Sequence, residues 1–236
     1  MSNVPRPSMP AASSVSGSEC RALQSVNVSG ELRHIEFGGN IVTTGFFKTP
    51  VFAQSRVHRL GIEGDAQGDL TVHGGLDKAV YCYPGEHYSG WEDLLQRGAL
   101  PPGSFAENLT TSGLTEEDLC IGDVLEVGSV VLQVTQPRSP CYKLQIKFER
   151  NDMVALFVQR GLPGWYTAVL QEGTLKPGDT IRVTRQAAER ISVAEVWRYS
   201  LGQGASTDVR RQILESRILP NFWKERVRNH GPLDGM

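Results

Sequence analysis

GDVLEVGSVVLQVTQPRSPCYK, residues 122–143, contains the pattern that decides the fold. The runs GDVLEV and VVLQVT flank Gly128-Ser129, and Val130, Leu132 and Val134 alternate with their neighbours as a half-buried strand requires. The second run leads into QPRSPCYK, where Pro137 and Pro140 fix φ, remove two amide donors and predict an extended segment. Cys141 sits near its end, with Arg138 before it and Lys143 after it. Cations beside a cysteine favour the thiolate, which is the reactive and metal-binding form. Two readings of this octapeptide stand side by side: a reactive thiolate, and a half-buried structural cysteine in a proline-bounded turn.

Outward from that stretch the texture stays β. Between residues 21 and 84, SVNVSG, NIVTTGFF, SRVHRLGI and KAVYCYP are short runs of branched and aromatic residues split by Gly or Asn. GWYTAVL and GDTIRVT read as closing strands, the latter sharing its Gly-Asp turn with GDVLEV. Many short strands with turns between them predict a mostly β, α+β fold built on a barrel or a strongly bent sheet. Two helices interrupt the strands. PGEHYSGWEDLLQRG puts Tyr88, Trp91, Leu94 and Leu95 on one face, with Pro84 near the first turn and Gly98 as the stop. A second helix is expected over about 150–160, capped by Asp152.

After about residue 186 the chain turns helical and mildly basic. ISVAEVWRYS carries a capping box, Ser192 with Glu195, and DVRRQILES and NFWKERVRN follow. The expected division is a Pro/Ser-rich disordered tail over 1–20, a β-barrel domain over 21–186 and a small three-helix domain over 187–236.

A net charge of −2, with 39% hydrophobic and 21% charged residues, describes an ordinary soluble protein and gives no reason for nucleic-acid binding driven by bulk charge. No apolar run approaches the ~20 residues needed to cross a bilayer, and the first residues lack the apolar segment of a secretory signal. Four cysteines without a C-x-x-C pair read as reduced thiols and predict a cytoplasmic setting. Five scattered histidines without HExxH disfavour a structural zinc site. There is also no P-loop, no G-x-G-x-x-G after a strand, no G-x-S-x-G and no iron–sulfur cysteine cluster. Redox chemistry would therefore draw electrons from another protein, of flavoprotein or ferredoxin type, or from a diffusible donor.

Three further stretches carry polar chemistry. In HGGLDKAVYCYP, Gly74 and Gly75 permit positive φ and let amides approach an anion, while His73 and Lys78 add donors on either side. A hairpin turn with an incidental histidine is the plainer reading. GIEGDAQGD, 61–69, lacks the ligand spacing of a calcium loop and reads as a solvated turn. In PPGSFAENLTTSGL, Glu107 and Asn108 sit between Phe105 and Leu109, where buried polar groups need partners; bracing is the preferred role.

Taken in order, GIEGD, HGGLDKAVYCYPGEHY, PPGSFAENLT, GLTEEDLCIGD, QPRSPCYKL and GWY resemble the molybdenum-cofactor sulfurase C-terminal (MOSC) domain family, YiiM type. The resemblance covers roughly residues 24–186, and the tail from ISVAEV resembles the three-helix domain that follows the barrel in that type. Ala106 departs from the pattern, which usually has Gly before Glu-Asn. The resemblance implies a β-barrel-like fold that binds a molybdenum–pyranopterin cofactor. Cys141 falls on the family's metal-ligating cysteine, and a soft thiolate suits that metal better than hard oxygen ligands do. By the same resemblance Arg138, Ser139 and Lys143 bind the anionic cofactor, while His73, Gly74, Gly75, Lys78 and Asn108 belong to the pocket wall.

The implied activity is reduction of N-hydroxylated small molecules (hydroxylaminopurines, hydroxylamines or amidoximes), with His73 as the candidate proton donor. Two rivals remain. One is a sulfur carrier or cofactor-holding module with a persulfide on Cys141; the other is an anion-binding adaptor without turnover. Assembly as a homodimer stays open.

Overall fold

The computed structural model describes residues 21–66, 68 and 74–229, and the tail expected over 1–20 lies outside them. The chain opens with β1 (Ala22–Val28), β2 (Arg33–Phe37), β3 (Asn40–Thr44), β4 (Thr49–Val51), β5 (Ser55–His58) and β6 (Gly61–Ile62). β7 (Val80–Pro84) leads to α1 (Tyr88–Leu95), followed by β8 (Leu109–Ser112), β9 (Val124–Val127) and β10 (Val130–Pro137). Then come α2 (Lys143–Phe148), α3 (Met153–Arg160), β11 (Trp165–Gln171), β12 (Gly173–Leu175) and β13 (Ile181–Arg185). Three helices end the chain: α4 (Val193–Ser200), α5 (Thr207–Glu215) and α6 (Asn221–Asn229).

Eight strands form one mixed sheet in the order β13-β9-β10-β11-β7-β8-β1-β4, with β7 and β8 parallel. The pair read from GDVLEV and VVLQVT is β9 and β10, antiparallel, with Val127 opposite Val130 across Gly128-Ser129. The expected α+β architecture is present, but the barrel is not a continuous ring. One edge of β1 lies on β8, and the other is shared. Residues 21–23 at its start bond to residues 178–181 at the entry to β13: Leu23 N to Asp179 O (2.9 Å), Gly178 N to Leu23 O (2.8 Å) and Ile181 N to Arg21 O (2.9 Å), around a single bridge between Ala22 and Thr180. Its last residues, Val26–Val28, pair with β4 instead. With part of that edge taken by β4, β1 cannot complete a full ladder with β13.

The apolar interior falls into two clusters. The larger runs through the sheet and continues into the C-terminal helices, so that Leu125, Val134 and Trp165 share it with Val196, Trp197, Ile213 and Trp223. The second is aromatic and packs against α1–α3, with Tyr83, Trp91, Phe105, Phe148 and Phe157 among its members. Its rings meet at offset geometries, such as 4.8 Å between the centroids of Tyr83 and Phe105 and 5.8 Å between Trp91 and Phe157.

Two helix expectations are corrected, and one helix is added. α1 stops at Leu95, its last buried anchor, because Gln96 takes a left-handed conformation (φ 51°) before Gly98 is reached. Asp152 precedes α3 without capping it, since Arg150 binds its carboxylate through Nε (2.9 Å) and Nη2 (2.7 Å). α2 was not expected, and only its first residue, Lys143, belongs to the stretch read as extended; Leu144 and Phe148, one turn apart, bury in the aromatic cluster and hold it. No helix among the described residues is long and apolar enough to cross a membrane.

The capping box at α4 is formed: Ser192 Oγ accepts Glu195 N (3.1 Å) and Glu195 Oε2 accepts Ser192 N (2.8 Å). Nearby, Val193 N and Ala194 N donate to the carbonyls of Leu119 (2.9 Å) and Glu116 (3.0 Å), which ties the start of the helical segment to the sheet domain. Ser192→Ala removes one helix-end acceptor and is expected to cost about 1 kcal/mol. The check is a lower urea midpoint at unchanged m-value.

Candidate functional site

β10 ends at Pro137, opposite Trp165 of β11, and the chain then runs along the wall of a cleft. The cleft is open to solvent, with about 680 Å³ of empty space counted out beyond its mouth. Arg138, Ser139, Cys141 and Lys143 all line it. Lys143 opens α2 and is only 7% exposed. Cys141 is 5% exposed; it belongs to the aromatic cluster on one side and to the cleft lining on the other.

Arg138 is the most unusual group there. It is 3% exposed, and its guanidinium lies 5.1 Å from the ring centroids of Tyr81 and Phe157 and 5.5 Å from that of Phe46. The aromatic faces offset part of the lost hydration. Yet Nη1 is buried without a hydrogen-bond partner. A guanidinium cannot shed its charge, and an unmet buried donor costs about 1–3 kcal/mol or more when charged. An anion in the cleft would meet that need.

Another part of the lining was not anticipated. GIEGD reads as a solvated turn, but the Asp65 side chain is 3% exposed and holds the Lys48 ammonium, itself 9% exposed, in a buried ion pair. Asp65 also accepts Ser29 N (2.8 Å) and Asn108 Nδ2 (2.8 Å). Burial pulls the Lys48 pKa below its ordinary value although Asp65 opposes the shift. Glu63 and Gly64 are exposed as expected, but the end of the turn is covered where the chain at Gly45 lies directly on it: a Cβ there would sit 1.8 Å from the Ala66 carbonyl oxygen. Only glycine permits that approach.

The HGG stretch is partly in view. Gly74 and Gly75 have the positive φ expected, 107° and 90°, and Gly74 and Lys78 line the cleft while Gly75 does not. Burial lowers the Lys78 pKa, against the influence of Asp77. His73, the proton donor implied by resemblance, lies outside the described residues.

Glu107 and Asn108 do brace, as read. Glu107 has no exposed surface and accepts Gly103 N (2.7 Å), Phe105 N (3.1 Å), Thr110 Oγ1 (2.8 Å) and the Tyr88 hydroxyl. Asn108 lines the cleft, but its amide is engaged on both sides, accepting Tyr81 N (3.1 Å) and donating to Asp65. Behind this turn, Lys147 of α2 donates to Gly103 O (2.6 Å). Burial, with Lys48, Arg138 and Arg33 adding to it, pushes the Lys147 pKa down to about 8 against the pull of Glu107.

Sequence reasoning missed Lys48, Asp65, Phe46, Tyr81 and Tyr166 as lining residues. Lys48 did carry a signal, being the only charged residue between Glu36 and Arg56. Tyr81 and Tyr166 carried none, because an aromatic residue on a strand looks the same whether it faces a core or a cleft. Among the described residues no group of three or more His, Cys, Asp or Glu is arranged to hold a metal ion. A metal here would depend on Cys141 and on ligands brought with it.

The family model for the MOSC domain matches residues 69–182. The protein YiiM of Escherichia coli is 33% identical over 178 residues, 75% of this chain and 79% of its own length. The crystal structure of YiiM from Geobacillus stearothermophilus superposes with a TM-score of 0.72 at 31% identity, covering 89% of this chain and 98% of that one.

The chain belongs to the MOSC domain family, YiiM type.

Two further relatives widen the picture of this MOSC protein. The uncharacterized protein YflK of Bacillus subtilis is 40% identical over 195 residues, 83% of this chain and 88% of its own length. A Gibberella moniliformis protein named Reductase is 30% identical over 211 residues; the match takes in 85% of this chain and 36% of that much longer protein. The one departure from the family pattern, Ala106, lines the cleft with φ 63°, which explains the usual glycine.

Ala106→Gly removes a left-handed penalty of roughly 1–2 kcal/mol and adds about 0.5–1 kcal/mol of unfolded-chain entropy. The expected outcome is a small net stabilisation, read as a higher urea midpoint.

The charge of Lys147 sets a pH dependence. Its folded pKa, about 8, lies below the ordinary 10.5, so the folded protein releases this proton first. This residue's contribution to stability therefore rises with pH between those values and is lost as pH falls toward 8. Binding of sulfate, whose charge is constant over the range, is expected to weaken severalfold from pH 7 to 9 in a calorimetric titration. Lys147→Met should flatten the step.

Proposed function

We propose that the protein is a molybdenum-cofactor-dependent reductase of N-hydroxylated small molecules such as hydroxylaminopurines, hydroxylamines or amidoximes. The observation that carries the reading is the pairing, in one cleft, of a lining thiol with a buried guanidinium whose Nη1 lacks a partner. Together they suit a group that is both a soft-metal complex and an anion. Cys141 would hold the metal through its thiolate. Arg138, Ser139, Lys143, Lys48 and Lys78 would hold the anionic remainder, with the Gly74 backbone beside them. When bound, such a group supplies the two electrons that N–O cleavage consumes.

The overall change is R–NHOH plus two electrons and two protons giving R–NH2 and water. The chain's own part is to exclude water, to orient the N–O bond and to keep fixed cations near the departing oxygen. Lys48 Nζ, held by Asp65 at the cleft wall with its pKa lowered by burial, is one proton source. His73 remains the donor expected from the sequence. The electrons would come from an external donor protein of flavoprotein or ferredoxin type. The fungal relative named Reductase supports a reductive role, and the free thiols of Cys82, Cys120 and Cys141 support a reducing, cytoplasmic setting. The sulfur-carrier alternative has less support, since handing sulfur to a partner requires more access than 5% exposure gives.

The test uses protein made in a host that synthesises the cofactor. Molybdenum content is measured, then anaerobic reduction of a panel of N-hydroxy compounds with a chemical reductant. Cys141→Ser is expected to lose bound molybdenum and to fall to background turnover while its unfolding midpoint stays close to wild type. Normal turnover by that variant would sink the proposal.

A further inference from the structure

Trp223 of α6 is fully buried, and its indole Nε1–H donates to Gln136 Oε1 at 3.0 Å. Gln136 in turn donates from Nε2 to the carbonyl oxygen of Asp77 at 3.2 Å. The Thr135 hydroxyl shares its single proton between that same oxygen, at 2.7 Å, and the carbonyl oxygen of Tyr166, at 3.0 Å. Asp77 lies in the short 3-10 turn Leu76–Lys78, between the cleft-lining residues Gly74 and Lys78. Gln136 stands two residues before Arg138 and five before Cys141.

Two physical facts make the arrangement specific. Neighbouring side chains on a regular strand point to opposite faces. Thr135 and Gln136 reach one carbonyl because the β10–β11 register slips between Val134 and Gln136, the local distortion that re-aims side chains beside sites. A glutamine amide, moreover, can face either way. Here a group that only donates lies on one side and a group that only accepts lies on the other, so a single orientation satisfies both. Gln136 is 2% exposed, and water cannot readily substitute for either partner.

We propose that Trp223 is a positioning residue of the cleft. Through Gln136 it holds the 74–78 turn against the 138–141 run, and so fixes the spacing between the cation of one and the thiol of the other. This gives the C-terminal helices a part in the site although none of their described residues lines it. The inference rests on the proposed function only where cofactor retention is concerned; the hydrogen bonds and the cleft stand without it.

The test is a double-mutant cycle on the full-length, cofactor-free protein. Alkylation of Cys141 by iodoacetamide is followed by peptide mass spectrometry in wild type, Trp223→Phe, Gln136→Leu and the double variant. Trp223→Phe keeps an aromatic ring and removes the donor. Each single variant is expected to alkylate Cys141 severalfold faster with Cys82 and Cys120 unchanged, and the double no faster than Gln136→Leu alone. Multiplying rates in the double, or equal acceleration at all three cysteines, would overturn the proposal, because Trp223 would then act by packing alone.

Should Trp223→Phe fail to fold, Thr135→Val takes its place by removing the other donor to Asp77. Faster alkylation of Cys141 alone supports the coupling, and an unchanged rate overturns it. Molybdenum content of the same variants, expressed in a cofactor-making host, keeps the two ideas apart. A wild type without molybdenum counts against the proposed reaction and leaves the alkylation result intact, whereas full retention in Trp223→Phe beside an additive cycle counts against positioning alone.

Discussion

A carboxylate without solvent contact stands behind a wall of cations, and the cleft depends on it. Glu107 is the counter-charge felt by Lys48 and Lys147, and four donors hold its carboxylate in place. Buried charges repel strongly when water is excluded, so cations in such number near one cavity need a fixed negative group in reach. The same carboxylate shapes the backbone. To accept both Gly103 N and Phe105 N it draws the chain into a tight turn, and Ala106 is left at positive φ on the cleft wall. Electrostatics and backbone geometry are thus two effects of one residue.

The two apolar clusters divide the labour. The aliphatic one spans the sheet and the last three helices, and it fixes where the strand ends point. The aromatic one lies beneath the cleft and provides rings over which Arg138 and Lys147 rest. Cys141 sits where the second cluster meets open space. A thiol in that position is shielded from bulk reagents but open to whatever the cleft admits. The MOSC family assignment gives this placement a chemical sense that the geometry alone leaves general.

Legibility in the sequence followed the range of the interactions involved. β9, β10, β11 and β13 were visible because their alternation is local, and the capping box of α4 because it spans four residues. Arg138, Cys141 and Lys143 stood out because a proline-bounded, cation-flanked thiol breaks the surrounding texture, whereas Ser139 entered only through the family resemblance. Asp65 was misread as solvated, since its partners Ser29, Lys48 and Asn108 are 17 to 43 residues away and no local pattern announces them. α2 escaped for a similar reason: six residues offer one apolar i,i+4 pair, too little for periodicity to register. The shared edge of β1 was equally invisible, as pairing partners for an edge are chosen by tertiary contacts.

That shared edge has a topological consequence. The strand that opens the sheet and the segment that leads into its last strand are hydrogen-bonded neighbours, Arg21–Leu23 against 178–181. The polypeptide therefore enters and leaves the β unit at one seam, with the rest of the sheet undisturbed between. Architectures of this kind can be spliced into longer polypeptides, or extended at either end, without cutting a ladder. The seam, rather than the cleft, is where such a unit can exchange neighbours during evolution, because none of residues 21–23 and 178–181 lines the cleft.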